Sequence, residues 1–159
     1  QFASAFKALT ELGLCFDALV KPRHLQQLIT LVDRYPNLKV VIDHAAKPNI
    51  AETQFSQWKE DIQALAKRPN VYCKLSGLVT EAGYNPNFDI LIPYMSHLLK
   101  SFGASRLMWG SDWPVLNLAT DYNQWVTLTE VFLATLTAEQ QTQIWSKTAT
   151  EFYRLQHLE

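Results

Sequence analysis

Short apolar runs alternate with segments of helical periodicity along the whole chain. Four of these runs are apolar nearly throughout, which is typical of strands buried on both faces of a parallel sheet. They are Leu14–Val20, Leu38–Asp43, Val71–Ser76 and Arg106–Trp109. Because helical segments separate them, the pattern predicts an α/β fold with a parallel sheet that is covered by helices on its outer side.

The intervening segments carry apolar residues at spacings of three and four, as amphipathic helices do. The chain begins with such a segment, and further helices are predicted over Arg23–Tyr35, Thr53–Lys67, Asn87–Phe102, Tyr122–Thr135 and Ala138–Leu155. Thr137 is the predicted N-cap of the last helix, with Gln140 as its capping-box partner. About four β-α units of this kind make half of an eightfold barrel, and residues 1–159 are expected to form a single domain.

Composition excludes several classes of protein. The chain has 159 residues and a formal net charge of −1, with lysines and arginines scattered singly. It therefore lacks the basic patch of a nucleic-acid-binding protein. No apolar run approaches the roughly 20 residues of a membrane span, so no membrane segment is expected. Cys15 and Cys73 lie in separate apolar runs and are predicted to be free thiols, which favours a cytoplasmic protein.

Polar side chains occur in or directly after every predicted strand. They are Asp17 in the first run, Asp43 and His44 after the second, Lys74 and Ser76 in the third, and Asp112 after the fourth. In α/β folds, ligands bind where the carboxyl ends of parallel strands meet. His44, Ser76 and Asp112 occupy such ends, so the sequence predicts an active site there.

Each of these residues also has a structural interpretation. Asp112 could cap the turn that follows it, and His44 could be a hydrogen-bonded structural histidine. Lys74 could form an ion pair with Asp17 or with Glu81. Asp43 and His44 are adjacent at a strand end, so their side chains are expected to point to opposite faces of the strand, and only one can face a barrel interior.

Asp112 and His44 together indicate two kinds of chemistry. A carboxylate general base beside a group that polarises a carbonyl is one. The second is a pair of ligands within a metal site. The residues alone leave both open.

Several longer segments resemble a known family. "FDALV" with Pro22, "PNLKVVIDHAAKP", "RPNVYCKLSGLVTEA", "SFGASRLMWGSDWPV" and the closing "FYRL" are similar to the amidohydrolase-related metal-dependent hydrolases. Within these, the sugar-acid lactonase branch is the most similar. The likeness runs from about Phe6 to Leu155, which is nearly the whole chain.

The resemblance implies a (β/α)₈ barrel of the TIM type, with the four strands as strands five to eight. It implies that Asp112 activates the attacking water and that His44 contacts the reacting centre. Lys74 and Ser76 belong to the family motif and are expected to bind substrate. Trp109 and Trp113 could form an apolar wall for the sugar ring, although core packing explains them equally well. A divalent metal, plausibly zinc, is implied as a cofactor, with Asp112 and His44 as candidate ligands.

The chain departs from the family pattern in two places. No His-x-His pair, which the family carries on its first strand, occurs anywhere in the chain, and Asp17 lies in the run where many relatives have a fifth-strand histidine. Strands one to four are therefore expected to be missing, so that the chain would be the C-terminal half of a barrel.

The expected function is hydrolysis of an aldonolactone such as L-fuconolactone or L-rhamnonolactone, a small-molecule sugar lactone. The alternatives are a catalytically incomplete half-barrel, inactive or self-assembling as a homo-oligomer, and a decarboxylase or other hydrolase of the same superfamily.

Overall fold

Four parallel strands form the sheet of this protein, whose computed structural model describes residues 3–53 and 55–155. They are β1 (Cys15–Ala18), β2 (Lys39–Ile42), β3 (Val71–Leu75) and β4 (Leu107–Trp109), in the order β1-β2-β3-β4. Each strand lies inside a run predicted from the sequence, and the parallel arrangement is confirmed. Within the described residues, β1 and β4 each have one edge with no neighbouring strand.

Eight α-helices surround this sheet in the described part of the chain. They are α1 (Ala3–Glu11), α2 (Leu25–Arg34), α3 (Ser56–Ala66), α4 (Leu78–Glu81), α5 (Ile92–Phe102), α6 (Tyr122–Leu133), α7 (Ala138–Thr142) and α8 (Thr148–Tyr153). The short α4 was not predicted. The predicted capping box is confirmed, because Thr137 Oγ1 accepts a hydrogen bond from the Gln140 N–H and Gln140 Oε1 accepts one from the Thr137 N–H.

Strand residues alternate between two faces, and the outer face carries most of the core. Its side chains, among them Val40, Ile42, Cys73, Leu75 and Leu107, are fully buried and belong to one cluster with residues of the surrounding helices. Burying such side chains is the main source of stability in a fold of this kind.

The opposite, inner face of the sheet is covered in part by α8. Phe152 of that helix packs with Val41 and Met108 in a second, smaller cluster. Asp17 and Lys74 share this face, because strand register places Asp17 beside Val41 and Lys74 beside Met108. Charged side chains thus lie on the side of the sheet that a barrel would enclose.

Both cysteines are free thiols, as predicted. Cys73 has no exposed surface, and burial raises the pKa of its thiol. Among the described residues, no helix combines the length and the apolar character needed to cross a membrane.

Candidate active site

The segment after β2 takes an unusual backbone path. His44, Ala45, Ala46 and Lys47 all have positive φ, between 49° and 61°, although none is glycine. The side chain of Trp58, which lies on α3, donates a hydrogen bond from Nε1 to the Ala45 carbonyl over 2.8 Å. The outer helical layer therefore stabilises the turn that carries His44.

This path overturns one expectation from the sequence. β2 ends at Ile42, before Asp43, so the alternation of strand side chains does not extend to Asp43 and His44. The left-handed turn brings Asp43 Oδ2 within 3.6 Å of His44 Nε2. The prediction that only one of the two side chains faces the site was wrong.

The segment after β4 brings Asp112 next to His44. The Gly110 N–H donates to the Leu75 carbonyl of β3, and the indole of Trp125 donates to the Gly110 carbonyl. Asp112 then adopts φ of 59°, and its carbonyl accepts a hydrogen bond from the Leu116 N–H. These contacts turn the chain so that the Asp112 carboxylate meets the imidazole of His44.

His44 is held between three polar groups. Its Nδ1 lies 2.8 Å from the hydroxyl of Ser76, and its Nε2 lies 3.4 Å from Asp112 Oδ1 and 3.6 Å from Asp43 Oδ2. Two carboxylates can only accept a hydrogen from Nε2, whereas the Ser76 hydroxyl can donate to Nδ1. The surroundings therefore favour a hydrogen on Nε2.

Asp112 has one oxygen without a partner. Its side chain is 10% exposed, and its buried Oδ2 makes no hydrogen bond within the described part of the protein. Buried carboxylate oxygens are nearly always hydrogen-bonded, and exceptions concentrate at sites that bind a ligand, ion or water. Oδ2 is thus a free acceptor next to the His44 N–H.

Lys74 takes part in ion pairs. Its Nζ lies 2.8 Å from Asp17 Oδ2 and 2.9 Å from Asp43 Oδ1. The pairing with Asp17 is one of the two considered from the sequence. Glu81, the other candidate, pairs instead with Lys47, with 2.6 Å between Lys47 Nζ and Glu81 Oε1. That second pair joins the turn after β2 to α4.

The two predicted tryptophans differ in their surroundings. Trp109 lies on the outer face, where its Nε1 donates to Thr129 Oγ1 and its ring packs 4.8 Å from that of Trp145. It therefore contributes to core packing. Trp113 directly follows Asp112 and is 65% exposed, so its side chain is free to meet a ligand.

A cleft of about 410 Å³ opens beside His44 and Asp112. We call it the rim cleft. Its other wall is formed by the segment after β1, including Val20, Lys21 and Arg23, and Lys47 also lines it. Apart from Asp112 its charged lining is cationic, and its volume suits a small molecule.

A divalent metal would find one donor of suitable chemistry here, the unpaired Asp112 Oδ2, and His44 Nε2 would become a second donor only after losing its proton. A catalytic zinc typically has three protein ligands. The described residues contain no cluster of three or more His, Cys, Asp or Glu side chains arranged to hold a metal ion. The described residues therefore do not complete a metal site by themselves.

Comparison with known proteins identifies relatives of this chain. A model of the amidohydrolase family matches residues 1–155. The chain is 45% identical over 155 residues to an L-fucono-1,5-lactonase of Burkholderia ambifaria, covering 95% of this chain and 53% of that protein. It is 36% identical to an L-fucono-1,5-lactonase of Burkholderia multivorans, covering 98% and 56%. The chain thus spans about half the length of the curated relatives it matches.

A solved structure confirms the fold. The crystal structure of an amidohydrolase from Burkholderia multivorans with bound zinc superimposes with a TM-score of 0.91 at 35% identity, covering 98% of this chain and 57% of that one. The four strands and their helices are therefore part of a TIM-type barrel, as predicted. On the match of its sequence and of its fold, the chain belongs to the amidohydrolase family.

Proposed function

We propose that this chain contributes the catalytic aspartate and histidine of a hydrolase that opens sugar-acid lactones. The proposed substrates are aldonolactones such as L-fucono-1,5-lactone and L-rhamnonolactone. The names of the lactonase relatives support this substrate class. Because the chain spans about half of those relatives, the activity is proposed for the whole protein to which these residues belong.

The observation that carries the proposal is the pairing of two complementary groups at the rim cleft. Asp112 Oδ2 is a buried acceptor without a partner, and Nε2 of His44 lies 3.4 Å from the other oxygen of the same carboxylate. A water molecule can donate to Oδ2 while a carbonyl oxygen accepts from the Nε2–H. The first contact provides general-base catalysis of ester hydrolysis, and the second stabilises the developing oxyanion.

The proposed reaction has two steps. Asp112 removes a proton from water as the water oxygen attacks the lactone carbonyl carbon, and His44 donates a hydrogen bond to the developing oxyanion. A preorganised donor of this kind contributes about 2.7–4 kcal/mol to transition-state stabilisation. The ring C–O bond then breaks, and the proton held by Asp112 passes to the departing ring oxygen, which gives the open hydroxy acid.

The rest of the rim cleft suits a polyhydroxylated ring. Lys21, Arg23 and Lys47 line the cleft and carry hydrogen-bond donors that suit the hydroxyl groups of such a ring. Trp113, which is mostly exposed, adds an apolar surface next to Asp112. Sugar rings are commonly bound by such a combination of polar donors and an aromatic side chain.

Turnover of a panel of aldonolactones by the Asp112→Asn variant tests the proposal. The expected result is a fall in kcat of at least about 100-fold, the lower end of what general-base catalysis contributes. The matched control is Asp89→Asn, since Asp89 is an exposed aspartate outside the rim cleft. Undiminished turnover by Asp112→Asn would remove Asp112 from the mechanism.

The edges of β1 and β4 that have no neighbouring strand within the described residues support a second candidate, in which the chain self-assembles and has no activity of its own. Unpaired strand edges are templates for pairing with another chain. Light scattering on the isolated chain distinguishes the two, because a stable dimer without lactonase activity would favour assembly. No observation favours the decarboxylase alternative.

A further inference from the structure

A chain of polar and charged side chains runs from α8 to the candidate site along the inner face of the sheet. The Tyr153 hydroxyl donates to Asp17 Oδ2 over 2.7 Å, and the same oxygen lies 2.8 Å from Lys74 Nζ. Lys74 in turn contacts Asp43, and Asp43 reaches His44. We propose that Lys74 is a positioning residue, which holds Asp43 where it keeps the His44 proton on Nε2, and that it is not a ligand of the substrate. This inference rests on the proposed function and assigns a role within the same site.

The Lys74 ammonium already has two carboxylate partners. It lies between the carboxylates of Asp17 and Asp43, and the ring of Tyr153 is 5.8 Å away on its flank. Burial alone would lower the pKa of Lys74, but the contacts with Asp17, Asp43 and Tyr153 outweigh it and the pKa is raised. The side chain stays charged, and contact with a substrate would require it to give up an ion pair in a partly buried place.

Asp43 is the link between this cation and the imidazole. Its Oδ1 faces Lys74 at ion-pair distance, outside the geometry of a directed hydrogen bond, and its Oδ2 faces His44 Nε2. A lone pair on Nε2 would point at two carboxylates, those of Asp43 and Asp112. The tautomer with Nε2–H avoids that repulsion, and it is the one that can donate to a lactone carbonyl.

Lys74 matters because no other lysine or arginine among the described residues pairs with Asp43. Within the described ranges, Lys74 is the only lysine or arginine in ion-pair contact with Asp17 or Asp43. Without it, the carboxylates of Asp43 and Asp112, whose side chains are 15% and 10% exposed, would share one region with no compensating lysine, and the more exposed Asp17 would lose its cation. Like charges in such a place repel one another, and Asp43 would turn away from His44.

The test is the tautomer of His44, read from the ring ¹⁵N chemical shifts of chelator-treated protein. The wild type is expected to show Nε2–H alone. In Lys74→Met and in Asp43→Asn, the Nδ1–H form should appear, whereas Lys74→Arg should retain the wild-type signal. Asp43→Asn leaves Lys74 paired with Asp17, so it serves if Lys74→Met fails to fold. Asp17→Asn is the matched control, because it removes the other partner of Lys74 and leaves Asp43 in place. An unchanged tautomer in Lys74→Met and Asp43→Asn overturns the proposal.

Kinetics on an aldonolactone separate positioning from substrate binding. Lys74→Met is expected to lower kcat by about 10- to 100-fold, the range typical of losing a partner that orients a functional histidine, with KM changed less than about twofold, as for a group that does not bind substrate. A raised KM with an unchanged kcat would identify Lys74 as a substrate ligand and overturn the inference. If the wild type hydrolyses no lactone, the proposed function fails, while the ¹⁵N measurement still decides the role of Lys74.

Discussion

A Cβ atom on residue 77 would lie 2.6 Å from the Cβ of His44. Gly77 has a φ of 66°, so it needs glycine both for its backbone and for the space next to it. The start of the segment after β3 is therefore packed directly against the histidine of the candidate site.

Replacing Gly77 with alanine should displace His44 and destabilise the fold. We expect a loss of at least about 2 kcal/mol in the free energy of unfolding, from left-handed backbone strain and from overpacking. Urea denaturation measures it. Gly13→Ala is the control, because φ there is 64° but an added Cβ would meet only the end of the flexible Arg154 side chain. Equal losses in the two variants would show that the clash with His44 does not contribute to the loss of stability.

Removing the indole N–H of Trp58 should loosen the turn that carries His44. Trp58→Phe leaves the Ala45 carbonyl without its 2.8 Å hydrogen bond, and an unsatisfied buried acceptor costs about 1–3 kcal/mol. We expect lower stability together with a lower kcat on aldonolactones. Ile62→Val, which removes a buried methyl group from the same helix, should cost about 0.5–1.5 kcal/mol and leave kcat unchanged. If Trp58→Phe keeps its full kcat, the turn does not depend on this bond.

Stability at alkaline pH should depend on Tyr153. Burial, helped by the bond to Asp17, raises the pKa of Tyr153 to about 12 from an ordinary value of 10.0. Because the folded state holds this proton more tightly than the unfolded chain, the stabilisation is complete below pH 10 and is lost as the pH rises through about 12. The free energy of unfolding of the wild type should therefore fall more steeply across this window than that of Tyr153→Phe. Parallel curves for the two proteins would contradict the assignment.

Cys73 should report on global unfolding. Its side chain has no exposed surface and its pKa is raised by burial, so little reactive thiolate is available in the folded state. In a Cys15→Ser background, iodoacetamide should leave Cys73 unmodified under native conditions and label it fully in denaturant. Rapid labelling of the native protein would mean that the outer layer opens locally.

The parallel sheet could be predicted because its strands are apolar nearly throughout and helical segments separate them. The same regularity made the convergence of His44, Ser76 and Asp112 predictable, since parallel strands end at one edge. Trp109 could have been placed as well. It is two residues from Leu107, so both side chains point to the outer face.

The geometry between Asp43 and His44 could not be predicted from the residue types. Backbone segments with positive φ usually contain glycine, and residues 44–47 contain none. The turn depends on tertiary contacts, among them the bond from Trp58 on α3. The partner of Lys74 depends likewise on strand register and on the path of the chain after β2. Residue types alone therefore do not decide between Asp17 and Glu81.

The ion pair between Lys47 and Glu81 has a consequence for protein engineering. It joins the segments after β2 and β3. An insertion in either segment would therefore disturb both and would displace His44. The segment after β1 forms the facing wall of the rim cleft and carries exposed side chains at Leu19, Lys21 and Arg23. Libraries intended to change the substrate preference of the proposed lactonase should therefore diversify residues 19–24 and keep residues 43–47 and 76–81 constant.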